Sequence, residues 1–154
     1  MKAFNKVIFV DEENTRLGPF AGVLFEERAR QAGLDIQTES RGLVVLFPEP
    51  ANQKIAKIAA SLGLSLENHK AEALCTQDFS QENLVLALDE ITKKRIFETF
   101  ATPANVFTLR EYVGEIGSVI FPIGEPMEKY EAVCDTVSRL MDALINKLRE
   151  DEGE

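Results

Sequence analysis

The chain has 154 residues, of which 45% are hydrophobic and 28% are charged, as is typical of a globular protein with one core. Its 17 lysines and arginines against 26 aspartates and glutamates give a net charge of −9, which disfavours nucleic acid and anionic membranes as partners. No apolar run approaches the ~20 residues of a membrane span, and the first residues lack the features of a signal peptide, so we expect a cytoplasmic protein with a single domain over residues 1–154.

The first part of the chain has the pattern of strand, loop, helix and strand. Val7–Val10 is a continuous apolar run, which is typical of a parallel strand that is covered on both faces. Pro19 stands in the first turn of a helix predicted from Phe20 to Ala32, and Gly33 is placed to end that helix. Residues 34–40 alternate in polarity, which predicts a second strand.

The remaining elements follow in the same alternation. Residues 41–53 are ambiguous, because their letters LVVLF fit either a short strand or a loop packed on the core, and two prolines interrupt them. The pattern then predicts a helix at 53–61, a strand at 83–89, a helix at 90–100, a strand at 105–109 and a helix from Pro126 to about Arg149. The final letters REDEGE predict an acidic, frayed tail without a packing role from about residue 149.

Strands that alternate with helices, without any repeat, predict an α/β fold with a parallel sheet and helices on both faces. Ligands of such sheets bind beyond the carboxyl ends of the strands, near the first strand–helix loop. In this chain that loop opens with three acids, Asp11, Glu12 and Glu13. The loop therefore has the layout of a phosphate-binding loop but carries negative charge.

The order of these motifs resembles the low-molecular-weight protein tyrosine phosphatase family, including its bacterial tyrosine- and arginine-phosphatase branch, over roughly residues 5–148. That family begins with a strand, a loop of pattern C-x5-R-[ST]-P and a helix, and Pro19 anchors a gapless match to it. Further matches are ESRG at Glu39–Gly42, NHKAEAL at Asn68–Leu74, LVLALD at Leu84–Asp89 and the segment Thr108–Gly124. The resemblance implies a three-layer sandwich around a four-stranded parallel sheet in strand order 2-1-3-4.

The match fails at the three residues that carry the family's chemistry. Asp11 stands at the nucleophilic cysteine, Leu17 at the phosphate-binding arginine and Phe121 at the general-acid aspartate. The family's reaction needs a thiolate, a guanidinium and an acid for the leaving group. A carboxylate at Asp11 instead repels a phosphoryl group, by ~1 kcal/mol per pair of unit charges in water and about 4 kcal/mol at a dielectric near 20. We expect a phosphatase-like pseudoenzyme that binds or regulates a partner.

The supporting residues of the loop survive in the sequence. The resemblance places Asn14, Ser40 and His69 at positions that hydrogen-bond to one another and hold the shape of the loop, and it places Gly18 at the family's Ser/Thr. The other residues of the loop are Glu12, Glu13, Thr15 and Arg16. We therefore expect a retained frame without reacting groups, in which His69 is a structural, partly buried histidine.

Three other interpretations of the loop remain open at this stage. The first is an active tyrosine or arginine phosphatase of the family with unorthodox catalytic residues. The second is a slipped loop that pairs Asp11 with Arg16, although it has one residue fewer than the family loop. The third is a receiver domain phosphorylated at Asp89, which conflicts with the 78 positions that separate Asp89 from Asp11.

We expect neither a metal nor a cofactor. Asp11, Glu12 and Glu13 carry oxygen ligands suited to Mg²⁺ or Ca²⁺, but adjacent residues on a turn rarely point at one centre, so the sequence favours acids that cap the following helix. Cys75 and Cys134 could form a disulfide on paper, but a cytosolic setting disfavours one. Neither cysteine has the loop spacing to an arginine, so we expect neither to be a nucleophile.

The partner cannot be named from the sequence. The rim of the loop is expected to include Phe20, Phe47, Phe121 and Ile123, which is apolar for a phosphate site. A peptide or small apolar ligand would suit such a rim, and packing of Phe121 into the vacated pocket is the simpler alternative. We expect a protein or small-molecule partner, no nucleic acid, no membrane, and a monomer or weak dimer.

Overall fold

The structure is a computed structural model, and it describes residues 3–153, with the side chains of residues 3–151. Four parallel strands form one sheet in the order β2-β1-β3-β4. The strands are β1 (Lys6–Asp11), β2 (Gln37–Gly42), β3 (Asn83–Ala87) and β4 (Val106–Thr108). The predicted sheet and its strand order are confirmed.

Helices connect the strands and cover the sheet. They are α1 (Leu17–Gln31), α2 (Gln53–Ser61), α3 (Glu90–Thr99), α4 (Leu109–Tyr112) and α5 (Met127–Gly153), and a single 3₁₀ turn forms at Thr76–Asp78. Within the described chain, no helix combines the length and the apolar character needed to cross a bilayer.

The period of two along β1 sends its side chains into two different cores. Val7 and Phe9 pack in the larger core, which also holds the apolar stripes of α1, α2 and α5. Ile8 and Val10 point to the opposite face, into a smaller core that includes Ile96 of α3. The strand is apolar throughout because both of its faces are buried, and the predicted three-layer sandwich follows.

Several element boundaries differ from the prediction for local reasons. β2 begins at Gln37 rather than at residue 34, because the N–H of Leu34 still bonds to the carbonyl of Ala29 after Gly33 ends α1 at φ 71°. Residues 43–52 form a loop and not a strand. The short α4 was missed, although Thr108 and Glu111 form its capping box.

The prediction of a frayed acidic tail was wrong for the residues that the structure describes. α5 continues past residue 149 to Gly153, and Leu148 near its end is only 2% exposed. The hydroxyl of Tyr112 donates to Asp151 Oδ2 at 3.4 Å, so the start of the acidic segment packs against α4. Glu154, the last residue of the predicted tail, lies outside the described residues.

Candidate functional site at the first strand–helix loop

Residues 11–16 connect the carboxyl end of β1 to α1 and form a tight loop. Asn14 is fully buried and adopts a left-handed backbone conformation, with φ 61°. Gly42, the last residue of β2, lies directly against this loop, since a Cβ on it would fall 2.7 Å from the nitrogen of Asn14 and 2.7 Å from the carbonyl carbon of Glu13. The loop is therefore held against the end of β2, and only glycine fits at that contact.

The carboxylate of Asp11 caps helix α1 from the end of β1. Its Oδ2 accepts the N–H of Arg16 at 3.0 Å and the N–H of Gly18 at 3.1 Å. The first N–H groups of a helix have no partner within the helix, and the helix dipole favours an anion at this point. This is the capping that the sequence predicts, and Asp11 carries it.

The position of this carboxylate depends on the glycine beside it. Asp11 is 6% exposed, and its Oδ1 is buried without a hydrogen-bond partner among the described residues. A Cβ on Gly18 would lie 2.9 Å from that Oδ1 and 3.0 Å from Cγ. A residue larger than glycine at position 18 would collide with the carboxylate in this conformation.

Burial also changes the acidity of Asp11. Loss of solvent raises the pKa of its carboxyl from 3.8 to about 6, against the opposite effect of the N–H groups of Gly18, Arg16 and Asn14 and of the Arg16 charge. At neutral pH the group is still mostly ionised. The loop therefore presents a negative charge where a phosphate-binding loop presents positive N–H dipoles.

The three consecutive acids diverge from one another. Glu12 is exposed and pairs with Arg95 at 3.4 Å, whereas the Asp11 carboxylate turns inward to the helix end. Glu13 is half-buried. Within residues 3–151, no group of three acidic, histidine or cysteine side chains is placed to hold a metal ion.

Apolar side chains also pack at the other two positions where the sequence predicts replaced catalytic residues. Leu17 is 2% exposed and belongs to the larger core. Phe121 is half-buried and lies with its ring centroid 5.2 Å from that of Tyr130, in an edge-on arrangement. The guanidinium of Arg16, which a slipped loop would use, stands 4.8 Å over the Phe121 ring.

The supporting network is only partly the one expected. His69 Nε2 lies 2.6 Å from the carbonyl of Asn14, so this nitrogen carries the proton and donates it. The side-chain oxygen of Asn14 accepts the N–H of Glu72 at 2.8 Å. Ser40 makes no hydrogen bond to either residue among the described contacts and instead lines a cavity of about 310 Å³ together with His69. The predicted bond of Ser40 within this network is not formed in the structure, and the side-chain nitrogen of Asn14 is buried without a hydrogen-bond partner among the described residues.

Other sequence predictions about this region have mixed outcomes. Phe20 is fully buried in the core and does not reach the rim of the loop, since α1 turns that residue toward the sheet. Thr15 is 7% exposed, and its carbonyl accepts the N–H of Asn52 at 2.7 Å. Sequence reasoning missed Gly42 as the residue that sets the loop against β2, although its glycine stood within a matched motif.

Neither thiol belongs to the site. Cys75 is exposed and Cys134 is buried, and both are free. Burial raises the pKa of the Cys134 thiol to about 12, with a further contribution from Asp135, so it stays protonated at neutral pH. The disulfide considered from the sequence does not form in this structure.

A four-stranded parallel sheet with a tight loop between its first strand and the helix that follows defines the α/β class of protein to which this chain belongs. Residues 6–153 match the family described as low molecular weight phosphotyrosine protein phosphatase, and the chain belongs to this family. The resemblance found in the sequence is confirmed.

Individual relatives match over nearly their whole length. The protein-arginine-phosphatase of Bacillus subtilis (strain 168) is 30% identical over 147 residues, which cover 94% of this chain and 97% of that protein. The low molecular weight protein tyrosine phosphatase from T. tengcongensis has a TM-score of 0.87 at 30% identity and covers 93% of this chain and 99% of its own. A Cys-to-Ser mutant of the YwlE arginine phosphatase with a phosphorylated active-site serine has a TM-score of 0.89 at 29% identity, covering 95% and 97%.

Proposed function

We propose that this protein is a phosphatase-like pseudoenzyme, which uses the surface around the loop to bind or regulate a partner and does not hydrolyse phosphate esters. The observation that carries the proposal is the position of the Asp11 carboxylate. It is buried, and its Oδ2 takes the N–H groups of Arg16 and Gly18 at the start of α1. An internal anion thus occupies donors that would otherwise be free for a phosphoryl oxygen.

The electrostatics of the loop oppose a bound phosphate. A phosphoryl group carries more than one negative charge, and each pair of unit charges at about 4 Å repels by about 4 kcal/mol at an effective dielectric near 20. Loss of a single oxyanion donor alone typically lowers a rate by ~10²–10³. Both effects act at Asp11, so a phosphorylated substrate is disfavoured in binding as well as in reaction.

The two remaining family functions have no replacement nearby. Leu17 contributes its side chain to the core and cannot hold phosphoryl oxygens. Phe121 offers a ring and no proton, and its face is taken by Arg16 at 4.8 Å. The nucleophile, the phosphate anchor and the general acid have each been replaced by a residue with a packing or capping contact.

The test is a turnover assay with two substrates. We expect the wild type to hydrolyse neither p-nitrophenyl phosphate nor a phosphoarginine peptide above the rate in buffer. The Bacillus subtilis protein-arginine-phosphatase, assayed in parallel, serves as the positive control. Vanadate and phosphate should leave the unfolding temperature of the wild type unchanged, because the Asp11 carboxylate already accepts the N–H groups of Arg16 and Gly18.

Two variants make this assay decisive. Asp11→Ala removes the carboxylate, and Cys75→Ser removes the exposed thiol as a source of adventitious turnover. Wild-type turnover that survives Cys75→Ser and disappears in Asp11→Ala would contradict the pseudoenzyme proposal.

That outcome would support the second candidate function, a phosphoprotein phosphatase for tyrosine or arginine with unorthodox catalytic residues. Two observations favour it: Asp11 Oδ1 has no hydrogen-bond partner in the described chain, and the related arginine phosphatase holds a phosphoryl group on a serine oxygen. In this mechanism Oδ1 would attack phosphorus, and the bond from phosphorus to the leaving oxygen of phosphotyrosine or the leaving nitrogen of phosphoarginine would break, with the leaving atom taking a proton from water. Water would then hydrolyse the acyl phosphate, which releases inorganic phosphate and restores the carboxylate. A hydroxylamine-sensitive phosphorylated protein detected by mass spectrometry would identify that intermediate.

The net charge of the chain limits the kinds of partner that suit the proposed function. At −9, the protein repels polyanions, so its partner is a protein or a small molecule and neither nucleic acid nor a membrane. We propose that it acts in the cytoplasm as a monomer or weak dimer. Cell fractionation and sedimentation equilibrium test these two points.

A further inference from the structure

Exposed apolar side chains concentrate on the two segments that border the loop. The first segment, residues 43–52, is tied to it through the N–H groups of Leu43 and Val44, which bond to the carbonyls of Asp11 and Glu12 at 3.2 and 2.9 Å. The second, residues 119–125, meets the loop where Phe121 contacts Arg16. Both segments therefore flank the loop.

Five large apolar residues on these segments are exposed to solvent, and these five form the rim of the loop in the structure. They are Val44 (43%), Leu46 (87%), Phe47 (60%), Ile120 (65%) and Ile123 (67%). Scattered apolar residues are normal on a protein surface, but a group on adjoining segments is typical of an interaction surface. None of the five belongs to either core.

The charge around the rim selects the kind of partner. The loop and the two flanking segments, with the start of α2, carry carboxylates at Asp11, Glu12, Glu13, Glu49 and Glu125 against cations at Arg16 and Lys54. Arg95 offsets Glu12 by pairing with it, and the balance stays negative. Together with the net charge of −9, this potential attracts a basic partner and repels an acidic one.

The aromatic rings at this place already bind cations. The guanidinium of Arg16 lies 4.8 Å over Phe121, and the ammonium of Lys54 lies 4.6 Å over Tyr130. Phe47 is exposed and has no ring or cation contact among the described residues. Its face is therefore open to a cation from another molecule.

We propose that the rim binds a segment of a partner protein in which arginine or lysine side chains alternate with apolar ones. The apolar side chains would pack on Leu46 and Ile123, and a basic side chain would lie over Phe47 near the carboxylates. This inference rests on the proposed function, because it takes the loop to be a binding surface and not a catalytic one.

The experiment is fluorescence anisotropy with a short labelled peptide of alternating arginine and leucine. We expect saturable binding that weakens with salt, and binding weaker by about tenfold for Phe47→Ser and for Ile123→Ser. Ile116→Ser is the matched control, because Ile116 is 94% exposed and lines a different cavity, together with Lys93 and Phe97. Since all three residues are on the surface, unfolding temperatures should agree with the wild type.

Peptides with glutamate in place of arginine, and with serine in place of leucine, define specificity. Three outcomes would each overturn the proposal. They are glutamate-peptide binding as tight as that of the arginine peptide, an equal loss of affinity in Ile116→Ser and the rim variants, and the absence of saturable binding. Turnover of p-nitrophenyl phosphate is measured on the same preparations. If the protein turns over p-nitrophenyl phosphate and the rim still binds the peptide, only the proposed pseudoenzyme function is overturned. If there is neither turnover nor peptide binding, only the proposal about the rim is overturned.

Discussion

At Asp11, one carboxylate is subject to opposing effects, of which burial is the larger. Two N–H groups at a helix end stabilise its charge, while its burial disfavours that charge and raises its pKa to about 6. The net effect is unfavourable to the ionised form, so the folded protein holds the proton more tightly than the unfolded chain does. A group of this kind stabilises the fold below pH ~4 and loses that contribution as the pH rises through its folded pKa.

The pH dependence of stability gives the residue-scale prediction. In Asp11→Asn the titrating group is absent, so the free energy of unfolding of the variant minus that of the wild type should rise by about 2 kcal/mol between pH 4 and pH 7. Urea unfolding at several pH values measures this difference. Gly22→Ala changes no titrating group and should give a nearly constant difference, and a similar slope in both variants would contradict the assignment to Asp11.

Helix α1 begins in a way that depends on the strand before it. Its own N-cap residue, Arg16, provides no side-chain hydrogen bond, and the cap comes instead from Asp11 at the end of β1. Gly18, the second residue of the helix, provides the space for that carboxylate. The pair formed by Asp11 and Gly18 is thus one structural unit shared by a strand and a helix.

A double-mutant cycle tests this unit at the scale of the element. Gly18→Ala places a methyl group against the carboxylate and should cost about 1–3 kcal/mol of stability in the wild type. In an Asp11→Ala background the same change should cost little, because the collision is gone. Gly22→Ala is the control on the same helix, since a Cβ there would lie 3.9 Å from Ser40 Cβ, and its effect should not depend on Asp11.

In the whole molecule, the loop, the end of β2 and residues 72–74 meet at Gly42. Gly42 ends β2, donates its N–H to the carbonyl of Glu72 at 2.9 Å, and accepts the N–H of Leu74 at 2.8 Å. Its α-carbon faces the backbone of Glu13 and Asn14. The shape of the loop is therefore fixed by contacts between parts of the chain that are far apart in sequence.

Gly42→Ala tests this convergence. A Cβ there would lie 2.7 Å from two backbone atoms of the loop, which cannot move aside as a flexible side chain can. We expect a loss of about 3 kcal/mol or more, measured by urea unfolding, and a large shift of the Asn14 amide resonance. A change as small as that of Gly22→Ala would show that the loop adapts and is not held by β2.

The sequence by itself determined the order of elements and the family, and its alignment predicts three replaced catalytic residues. The fully apolar run of β1 is stable as a strand that is buried on both faces, and the long apolar stripe of α5 is stable as a helix that packs on one face. The pattern of apolar residues therefore located both elements. Pro19 fixed the alignment, and the alignment located Asp11, Leu17 and Phe121. These are local signals, and they can be read without knowing what lies opposite each residue.

Only the tertiary structure decided which contacts the side chains of Asp11, Glu12 and Phe121 make. The inward turn of Asp11 depends on Gly18, the ring of Phe121 lies between Arg16 and Tyr130, and Glu12 reaches Arg95 across 83 residues of sequence. No local pattern encodes such contacts, since each requires two segments to be brought together by the sheet. The same physical reason explains the missed role of Gly42 and the predicted bond of Ser40 that is not formed: both depend on which backbone lies beside them once the strands have paired.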